Sequence, residues 1–284
     1  MSNACDDDPN PEVIPIAGTA NYIRVPARGV DDFRALLADP ILHWKEACSA
    51  YELAHSWWNA DQDQGGFPPA VRDVLNASDV TSLKSLKPVT IFPEVKSVLP
   101  GGNRCSQTDL WVLASRPIAP FAHLGDDEDP DWISMDANST YAFPAPRELV
   151  SIAVEGKVRE SFGPLMSDWL KNASPNKHLR LRFLCHRLGL TVESVPGSIR
   201  YQLLHRTVAA LIEAERFCAK HALMLVHSFD SNDSGFGDYE AFVALLGGTA
   251  AINQVTTIGE RSGIQLHLAW VRDRPQSAQP SLLS

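Results

Sequence analysis

The chain has 284 residues and a formal net charge of -9 at pH 7, and its 44% hydrophobic and 21% charged residues are ordinary for a globular protein. These values exclude an intrinsically disordered or fibrous chain. No apolar run approaches the roughly 20 residues that span a bilayer, and the first residues, MSNACDDDPNPEVIP, are acidic where a secretory signal is basic and then apolar. We therefore expect a cytoplasmic protein with no membrane partner.

Prolines and apolar periodicity divide the chain into three predicted regions. Residues 1–40 are predicted to form a proline-rich N-terminal arm that ends in a short helix, which Asp31 or Asp32 can cap. Residues 41–272 are predicted to form the main domain, because they hold nearly all of the periodic apolar segments. Residues 273–284 are predicted to be a disordered tail.

In the first half of the main domain, two helical patterns precede two strand patterns. Apolar residues recur on one face of residues 49–60, which predicts an amphipathic helix, and residues 68–78 predict a shorter one. Residues 89–102 predict a strand that Pro93 interrupts, and residues 106–115 predict a second strand with a short apolar centre.

The second half begins with a strand whose apolar run is unbroken, at 148–157, which is typical of a strand covered on both faces. Helices are then predicted at 160–170, 176–190 and 200–221, and strands at 222–229 and 263–272. This order predicts an α/β (α+β) fold with a central mixed sheet flanked by helices. Residues 116–147, which are rich in proline and acids, are predicted to be an acidic loop insertion that serves as a lid, as a partner surface or as neither.

The strand at 148–157 ends in Glu155-Gly156-Lys157, and this ending suggests a chemical function. Residues two apart on a strand project to the same side, so Glu155 and Lys157 share one location. Asp109 enters the preceding strand, which the simplest meander places beside this one. Since a buried charge needs a cation, a metal or several donors, we expect the two carboxylates and the ammonium to meet.

Two carboxylates and a lysine suit the hydrolysis of phosphodiester bonds. Carboxylate oxygens are the ligands that Mg²⁺ prefers, and Mg²⁺ keeps several waters when bound. The lysine can orient or help to deprotonate such a water, and it can offset charge that develops at phosphorus. The alternative is an ordinary structural ion pair, either between Glu155 and Lys157 or between Asp109 and an arginine.

The order of Thr108-Asp109, a long insertion and then Glu155-Gly156-Lys157 resembles the PD-(D/E)XK nuclease superfamily. This resemblance implies a restriction-endonuclease-like core made of a helix, a three-stranded meander, a helix and a strand. By the same resemblance, Asp109 and Glu155 are metal ligands and Lys157 is the catalytic lysine. Thr108 stands where the superfamily is named for a proline.

Two further site residues follow from this resemblance. Members often carry a glutamate on the first core helix, which Glu52 could supply as a metal ligand. Some carry a glutamine on the helix after the E-x-K strand, for which Gln202 is the candidate catalytic residue. Glu52 also ends the sequence Ser49-Ala50-Tyr51-Glu52, a capping box in which the glutamate would bind a backbone N–H. Gln202 could instead bind neighbouring backbone.

Three segments look like an uncharacterised bacterial family of unknown function, and this resemblance covers most of residues 40–272. They are the segments around SQTDL, VEGKV and RYQLLHRT. This resemblance implies no established activity, so the functional prediction depends on the nuclease motif.

Positive charge is concentrated in residues 151–220, which carry 11 Lys and Arg against 6 Asp and Glu, whereas residues 1–150 carry 11 against 22. Phosphate contacts require such cations. We predict nucleic-acid contacts for Lys177, Arg180, Arg182, Arg187 and Arg206. A solvated helix face is the alternative explanation of the cations at 177–187.

The nuclease resemblance implies an endonuclease that uses Mg²⁺ or Mn²⁺ and acts on DNA in preference to RNA, in restriction or phage defence. The alternative is a catalytically inactive nuclease-fold protein that binds or scaffolds a protein partner, which the acidic residues 1–150 favour. A homodimer is compatible with both functions.

Overall fold

The structure is a computed structural model that describes residues 30–37, 39–62, 66–118 and 146–275. Most of the predicted N-terminal arm, loop insertion and C-terminal tail therefore lie outside the described residues. Within the described ranges, no helix is long and apolar enough to cross a bilayer.

A six-stranded mixed sheet forms the centre of the fold. Its strands are β1 (Lys87–Ser97), β2 (Ser106–Pro117), β3 (Arg147–Lys157), β4 (His221–Ser228), β5 (Gln254–Arg261) and β6 (Ile264–Arg272). They lie in the order β1-β2-β3-β4-β6-β5. The meander β1-β2-β3 and the pair β5-β6 are antiparallel, whereas β4 is parallel to both β3 and β6.

Helices flank the sheet, so the prediction of an α+β fold with a central mixed sheet is confirmed. The helices are α1 (Val30–Leu36), α2 (Pro40–His43), α3 (Ser49–Gln62), α4 (Pro69–Ala77), α5 (Met166–Trp169), α6 (Pro175–Leu188), α7 (Tyr201–Arg216) and α8 (Phe236–Leu245). A 3₁₀ turn at Thr81–Leu83 precedes β1.

Two hydrophobic clusters lie on opposite faces of the sheet. One contains the apolar faces of α6, α7 and α8, and the other contains those of α1, α3 and α4. Strand β3 contributes to both, because Ala153 belongs to the first cluster whereas Ile152 and Val154 belong to the second. Burial on both faces explains the unbroken apolar run of β3 and confirms that prediction.

Several predicted elements differ from the structure. The helix predicted at 160–170 is wrong except for α5, because Gly163 has a left-handed φ of 67° and Pro164 follows it. The sequence reasoning missed α2, α8 and β5. Strand β5 is an edge strand with mostly half-exposed residues, so it lacks the apolar run or strict alternation that marks a strand.

A buried hydrogen-bonded chain joins α3 to the sheet beside the carboxyl end of β3. The indole Nε1 of Trp57 donates to His227 Nδ1 at 3.1 Å, and His227 Nε2 lies 3.0 Å from Asp273 Oδ2. His227 pairs with Gly156 in the β3-β4 register. Burial lowers the pKa of His227 despite the carboxylate of Asp273, and both of its ring nitrogens have hydrogen-bond partners, so it is a satisfied core residue.

Replacing Trp57 by phenylalanine should destabilise the protein by about 2–3 kcal/mol, because His227 loses a buried donor and the smaller ring leaves a cavity. Trp58→Phe is the matched control, since Trp58 is the adjacent tryptophan of α3 and is only half-buried. It should cost less than about 1 kcal/mol. Urea unfolding measures both, and equal losses for the two variants would contradict the proposed importance of the Trp57–His227 bond.

Candidate functional site

A pocket of about 750 Å³ opens where β2 and β3 meet the start of α7. The predicted catalytic residues that line it are Asp109 from β2, Glu155 and Lys157 from β3, and Gln202 from α7. Arg206, one turn further along α7, also lines it. The structure therefore brings these five residues together, while their catalytic roles remain predictions.

Strand pairing explains how the two carboxylates meet. Leu110 pairs with Val154, so the next residues outward on the antiparallel strands are Asp109 and Glu155. The Asp109 carboxylate accepts a hydrogen bond from the Gly156 backbone N–H at 3.0 Å. Alternation sends Glu155 and Lys157 to the same side, where Lys157 Nζ lies 2.8 Å from Glu155 Oε1.

Gly156 has a separate structural role between the two charged residues. A Cβ atom built on it would lie 3.3 Å from both Leu53 Cδ2 and Ser49 O on α3. The glycine therefore lets α3 pack closely against the opposite face of β3. The E-x-K spacing thus places two charges on one face and a close helix contact on the other.

Glu155 is the most constrained member of the site, with only 2% of its surface exposed. Its Oε1 accepts from Lys157 Nζ at 2.8 Å and from Gln202 Nε2 at 2.6 Å. Its Oε2 accepts from Arg206 Nε at 2.5 Å. Burial alone would raise the pKa of Glu155, but the charges and hydrogen bonds of Arg206 and Lys157 lower it to about 2, so Glu155 is ionised.

The carboxylate of Asp109 has fewer cationic partners than that of Glu155. The closest cation is Arg206, whose Nη2 lies 3.5 Å from Asp109 Oδ1. Burial raises the pKa of Asp109 well above its ordinary value, and the nearby carboxylates of Glu155 and Glu94 raise it further. The same guanidinium therefore serves both carboxylates but favours Glu155.

Glu94 is a third carboxylate of the pocket, and the sequence reasoning missed it. The pairs Pro93–Leu110 and Val95–Thr108 place Glu94 of β1 opposite Asp109, and its backbone has a left-handed φ of 55°. Gln107 donates from Nε2 to its carboxylate. Burial raises its pKa to about 7. The sequence contains one sign of this role, which is that Glu94 is an acid within the strand that pairs with the strand of Asp109.

The donor chemistry of the pocket fits a hard divalent cation, with a qualification from geometry. The pocket is lined by four carboxylates and three cationic side chains, namely Glu94, Asp109, Glu155 and Glu160 with Lys157, Arg159 and Arg206. Burial is the first cause of the raised pKa values of Asp109 and Glu94, and a bound cation would offset it. Asp109 and Glu155 would hold Mg²⁺ through carboxylate oxygens. Among the described residues, however, no three His, Cys, Asp or Glu side chains are grouped as a metal site. Lys157 and Arg206 each donate to one oxygen of Glu155, so one of these donors would have to move away before a metal could bind there.

Glu52, the third predicted metal ligand, is not brought to this pocket. Its Oε1 accepts from the Ala47 backbone N–H at 3.0 Å, and its side chain lines a neighbouring pocket. Glu52 is fully buried. Glu52 therefore binds a backbone N–H near the helix start, as the capping alternative predicts, although this N–H belongs to Ala47, which lies before Ser49.

Most of the α6 cations that were predicted to bind nucleic acid contact other groups of the protein. Arg180 is buried and donates to the carbonyl oxygens of Pro100 and Arg104 at 2.9 and 2.6 Å, so its placement on the surface is wrong. The remaining members of the α6 set differ in their contacts. Lys177 donates to the Trp169 carbonyl, Arg187 pairs with Glu215, and Arg182 is exposed. Within the predicted set, Arg206 alone lines the pocket.

The family model described as Domain of unknown function (DUF6946) matches residues 26–122 and 141–275, and the chain belongs to this family. No curated protein matches the chain, and no solved structure does. The family's description names no activity, so the function has to be argued from the pocket itself.

Glu94→Gln should increase stability at high pH. The folded protein raises the pKa of Glu94 from 4.5 to about 7, so its contribution to stability is present below pH 4.5 and is lost as pH rises through about 7. Glutamine has no charge to bury and can still accept from Gln107. At pH 8 the variant should be more stable than wild type by about 1–3 kcal/mol.

Urea unfolding at pH 5 and pH 8 measures this difference, which should be smaller at pH 5. Glu240→Gln is the matched control, because Glu240 is exposed on α8 and its replacement should change stability by less than about 0.5 kcal/mol. A Glu94→Gln effect that is the same at both pH values would contradict burial of an uncompensated charge.

Proposed function

We propose that the chain is a metal-dependent nuclease of the PD-(D/E)XK type that hydrolyses phosphodiester bonds, in DNA in preference to RNA. The observation that carries this proposal is the meeting of Asp109, Glu155, Lys157 and Gln202 in one pocket. Glu155 and Lys157 were predicted from their spacing on one strand, Asp109 from its place on the neighbouring strand, and Gln202 from the superfamily resemblance. The four residues come from two strands and one helix. A role in restriction or phage defence follows from this enzyme type by analogy.

The topology around the pocket supports the proposal. Helix α3 precedes the antiparallel meander β1-β2-β3, and α7 then leads into β4, which is parallel to β3. This is the helix, meander, helix and strand order that the superfamily resemblance implies. The pocket lies at the carboxyl end of β3, where the E-x-K residues are.

In this proposal Asp109 and Glu155 would hold Mg²⁺ or Mn²⁺, and the ion would polarise the phosphoryl oxygen and lower the pKa of a bound water. Lys157 is a cation in the resting site. Burial would lower its pKa, but the carboxylates of Glu155 and Asp109 raise it above the ordinary value. A charged Lys157 orients the attacking water and offsets charge that develops at phosphorus.

Gln202 positions the two residues that do this chemistry. Its Nε2 donates to Glu155 Oε1 at 2.6 Å, and its Oε1 accepts from Lys157 Nζ at 3.3 Å. One amide group therefore fixes the carboxylate and the ammonium relative to each other. Phe162 adds a wall beside them, with its ring centroid 4.8 Å from Lys157 Nζ.

A specific observation favours the second candidate function, a catalytically inactive binding or scaffold protein with a protein partner. Both carboxylate oxygens of Glu155 already accept hydrogen bonds from side chains of the protein. Arg206 forms ion pairs with both Glu155 and Asp109. Such a network can be purely structural, since a buried ion pair need serve only to compensate its own burial. Metal binding separates the two functions.

Lys157→Ala should slow cleavage of supercoiled plasmid in Mg²⁺ or Mn²⁺ by about a hundredfold or more, because it removes a cation placed for the transition state. Lys220→Ala is the control, since Lys220 is exposed and precedes β4 at the opposite end of the sheet. It should cleave at the wild-type rate. Absence of any cleavage by the wild-type protein, for DNA and RNA alike, would reject the nuclease.

Asp109→Asn should weaken Mg²⁺ binding by about tenfold or more in isothermal titration calorimetry, because a charged hard ligand is lost while the acceptor for the Gly156 N–H is kept. Asp73→Asn, an exposed substitution on α4, should bind as the wild type does. If the wild-type protein itself binds neither Mg²⁺ nor Mn²⁺, the scaffold function is favoured.

A further inference from the structure

A second pocket, of about 630 Å³, adjoins the candidate catalytic pocket, and we refer to it as the rim pocket. Both pockets are lined by Ala47 and Arg159, so they adjoin at these two residues, and we refer to the two pockets together as the groove. The remaining rim-pocket walls come mainly from the segments that follow β4 and β6, residues 229–231 and 272–275. These segments lie at the same carboxyl edge of the parallel strands as the E-x-K residues.

The acids of the rim pocket are turned into the protein. Asp230 is 3% exposed and accepts hydrogen bonds from the backbone N–H groups of Asn232 and Ser234. Glu52 is fully buried, as described above. Asp273 accepts a hydrogen bond from the Arg274 backbone N–H at 2.7 Å and is also hydrogen-bonded to His227 at the end of β4. These acids therefore stabilise the walls of the groove.

The arginines of the rim pocket have the opposite arrangement. Arg159, Arg272 and Arg274 are all exposed. Arg272 is paired with Asp233. Among the described residues, neither the Arg159 nor the Arg274 guanidinium has a hydrogen-bond or ion-pair partner within 4.0 Å. Their charges do act at longer range, because Arg159 lowers the pKa of Asp230 and Arg274 lowers that of Asp273. Two guanidinium groups without a direct partner therefore line the rim pocket from different loops.

We propose that the rim pocket is a phosphate-binding subsite in which Arg159 and Arg274 hold the backbone of a polynucleotide beside the bond that is cleaved. The proposal rests on the nuclease function of the adjoining pocket and extends it by placing the bound strand. Arg159, which lines both pockets, contacts the phosphate next to the reacting one, and Arg274 contacts a phosphate further along the groove.

The lining of the rim pocket favours a polynucleotide backbone over a free nucleotide. Phe229 is the sole aromatic residue among its lining residues, and it is 1% exposed, so it offers no ring face for stacking a base. Guanidinium groups without base-stacking neighbours bind phosphate irrespective of sequence. Continuity with the candidate catalytic pocket suits an extended chain of phosphates.

The test measures binding of a short fluorescent DNA duplex by anisotropy, in a Lys157→Ala background that prevents cleavage. Arg159→Ala and Arg274→Ala should each weaken binding about threefold to fivefold, which corresponds to one exposed ion pair. Each should also reduce the slope of log K against log salt by about 0.9, because one phosphate contact is lost. Arg159→Lys should retain the wild-type slope.

Arg72→Ala is the matched control, since Arg72 is an exposed arginine on α4, and neither its binding nor its slope should change. Arg182→Ala tests the exposed face of α6 as the alternative surface. A loss for Arg182→Ala with none for Arg159→Ala and Arg274→Ala would overturn the proposal, and so would failure of the wild-type protein, kept from cleaving by EDTA, to bind the duplex.

The outcomes also separate this proposal from the nuclease function. Plasmid cleavage by the wild-type chain, combined with unchanged duplex binding of Arg159→Ala and Arg274→Ala, would reject the rim pocket and leave the nuclease intact. Duplex binding that depends on both arginines, without any cleavage, would keep the subsite and reject the nuclease. Equal affinity for a mononucleotide and the duplex, with the same dependence on Arg159, would assign the pocket to a free nucleotide and overturn the proposal.

Discussion

The burial of the Glu155 carboxylate at the end of β3 is the constraint on which the site depends. An isolated ionised carboxylate in such a position costs several kcal/mol, and removing one partner of a buried ion pair typically costs 3–5 kcal/mol. Glu155 meets this requirement with one cation two residues away and another on α7. The second contact fixes the face of α7 that meets the sheet, and it thereby sets the position of Gln202.

Structural stabilisation of Glu155 does not require Asp109 or Glu94, two of the other acids of the pocket. Asp109 and Glu94 lie on adjacent strands, where like charges directly opposite each other are destabilising. Burial is the first cause of their raised pKa values, nearby carboxylates add to it, and the left-handed backbone of Glu94 adds local strain. A cluster that costs stability in several independent ways is characteristic of a functional site, and this argues for ligand chemistry over a simple ion pair.

The sequence was sufficient for the parts of the fold and site that local patterns determine. The run before Glu155 predicted a doubly covered strand, and period-2 geometry predicted its proximity to Lys157. Features that depend on tertiary packing could not be predicted from the sequence. Glu94 joins the pocket through strand register and one left-handed residue, and the half-exposed edge strand β5 has no local signature. Arg180 looked like a surface charge because its acceptors are backbone carbonyls about 80 residues away in sequence.

The same distinction explains why the charge total of a segment does not tell which of its cations are free to bind a ligand. In the positive block at 151–220, Arg180 binds backbone carbonyls, Arg187 pairs with Glu215 and Arg206 pairs with the buried acids, whereas Arg159 and Arg182 are exposed. The exposed Arg274 comes from a segment with few cations. Long-range steering depends on net charge, but phosphate binding depends on cations that no protein group has already neutralised. For this reason we propose the groove beside the E-x-K residues, rather than the face of α6, as the surface that binds the polynucleotide.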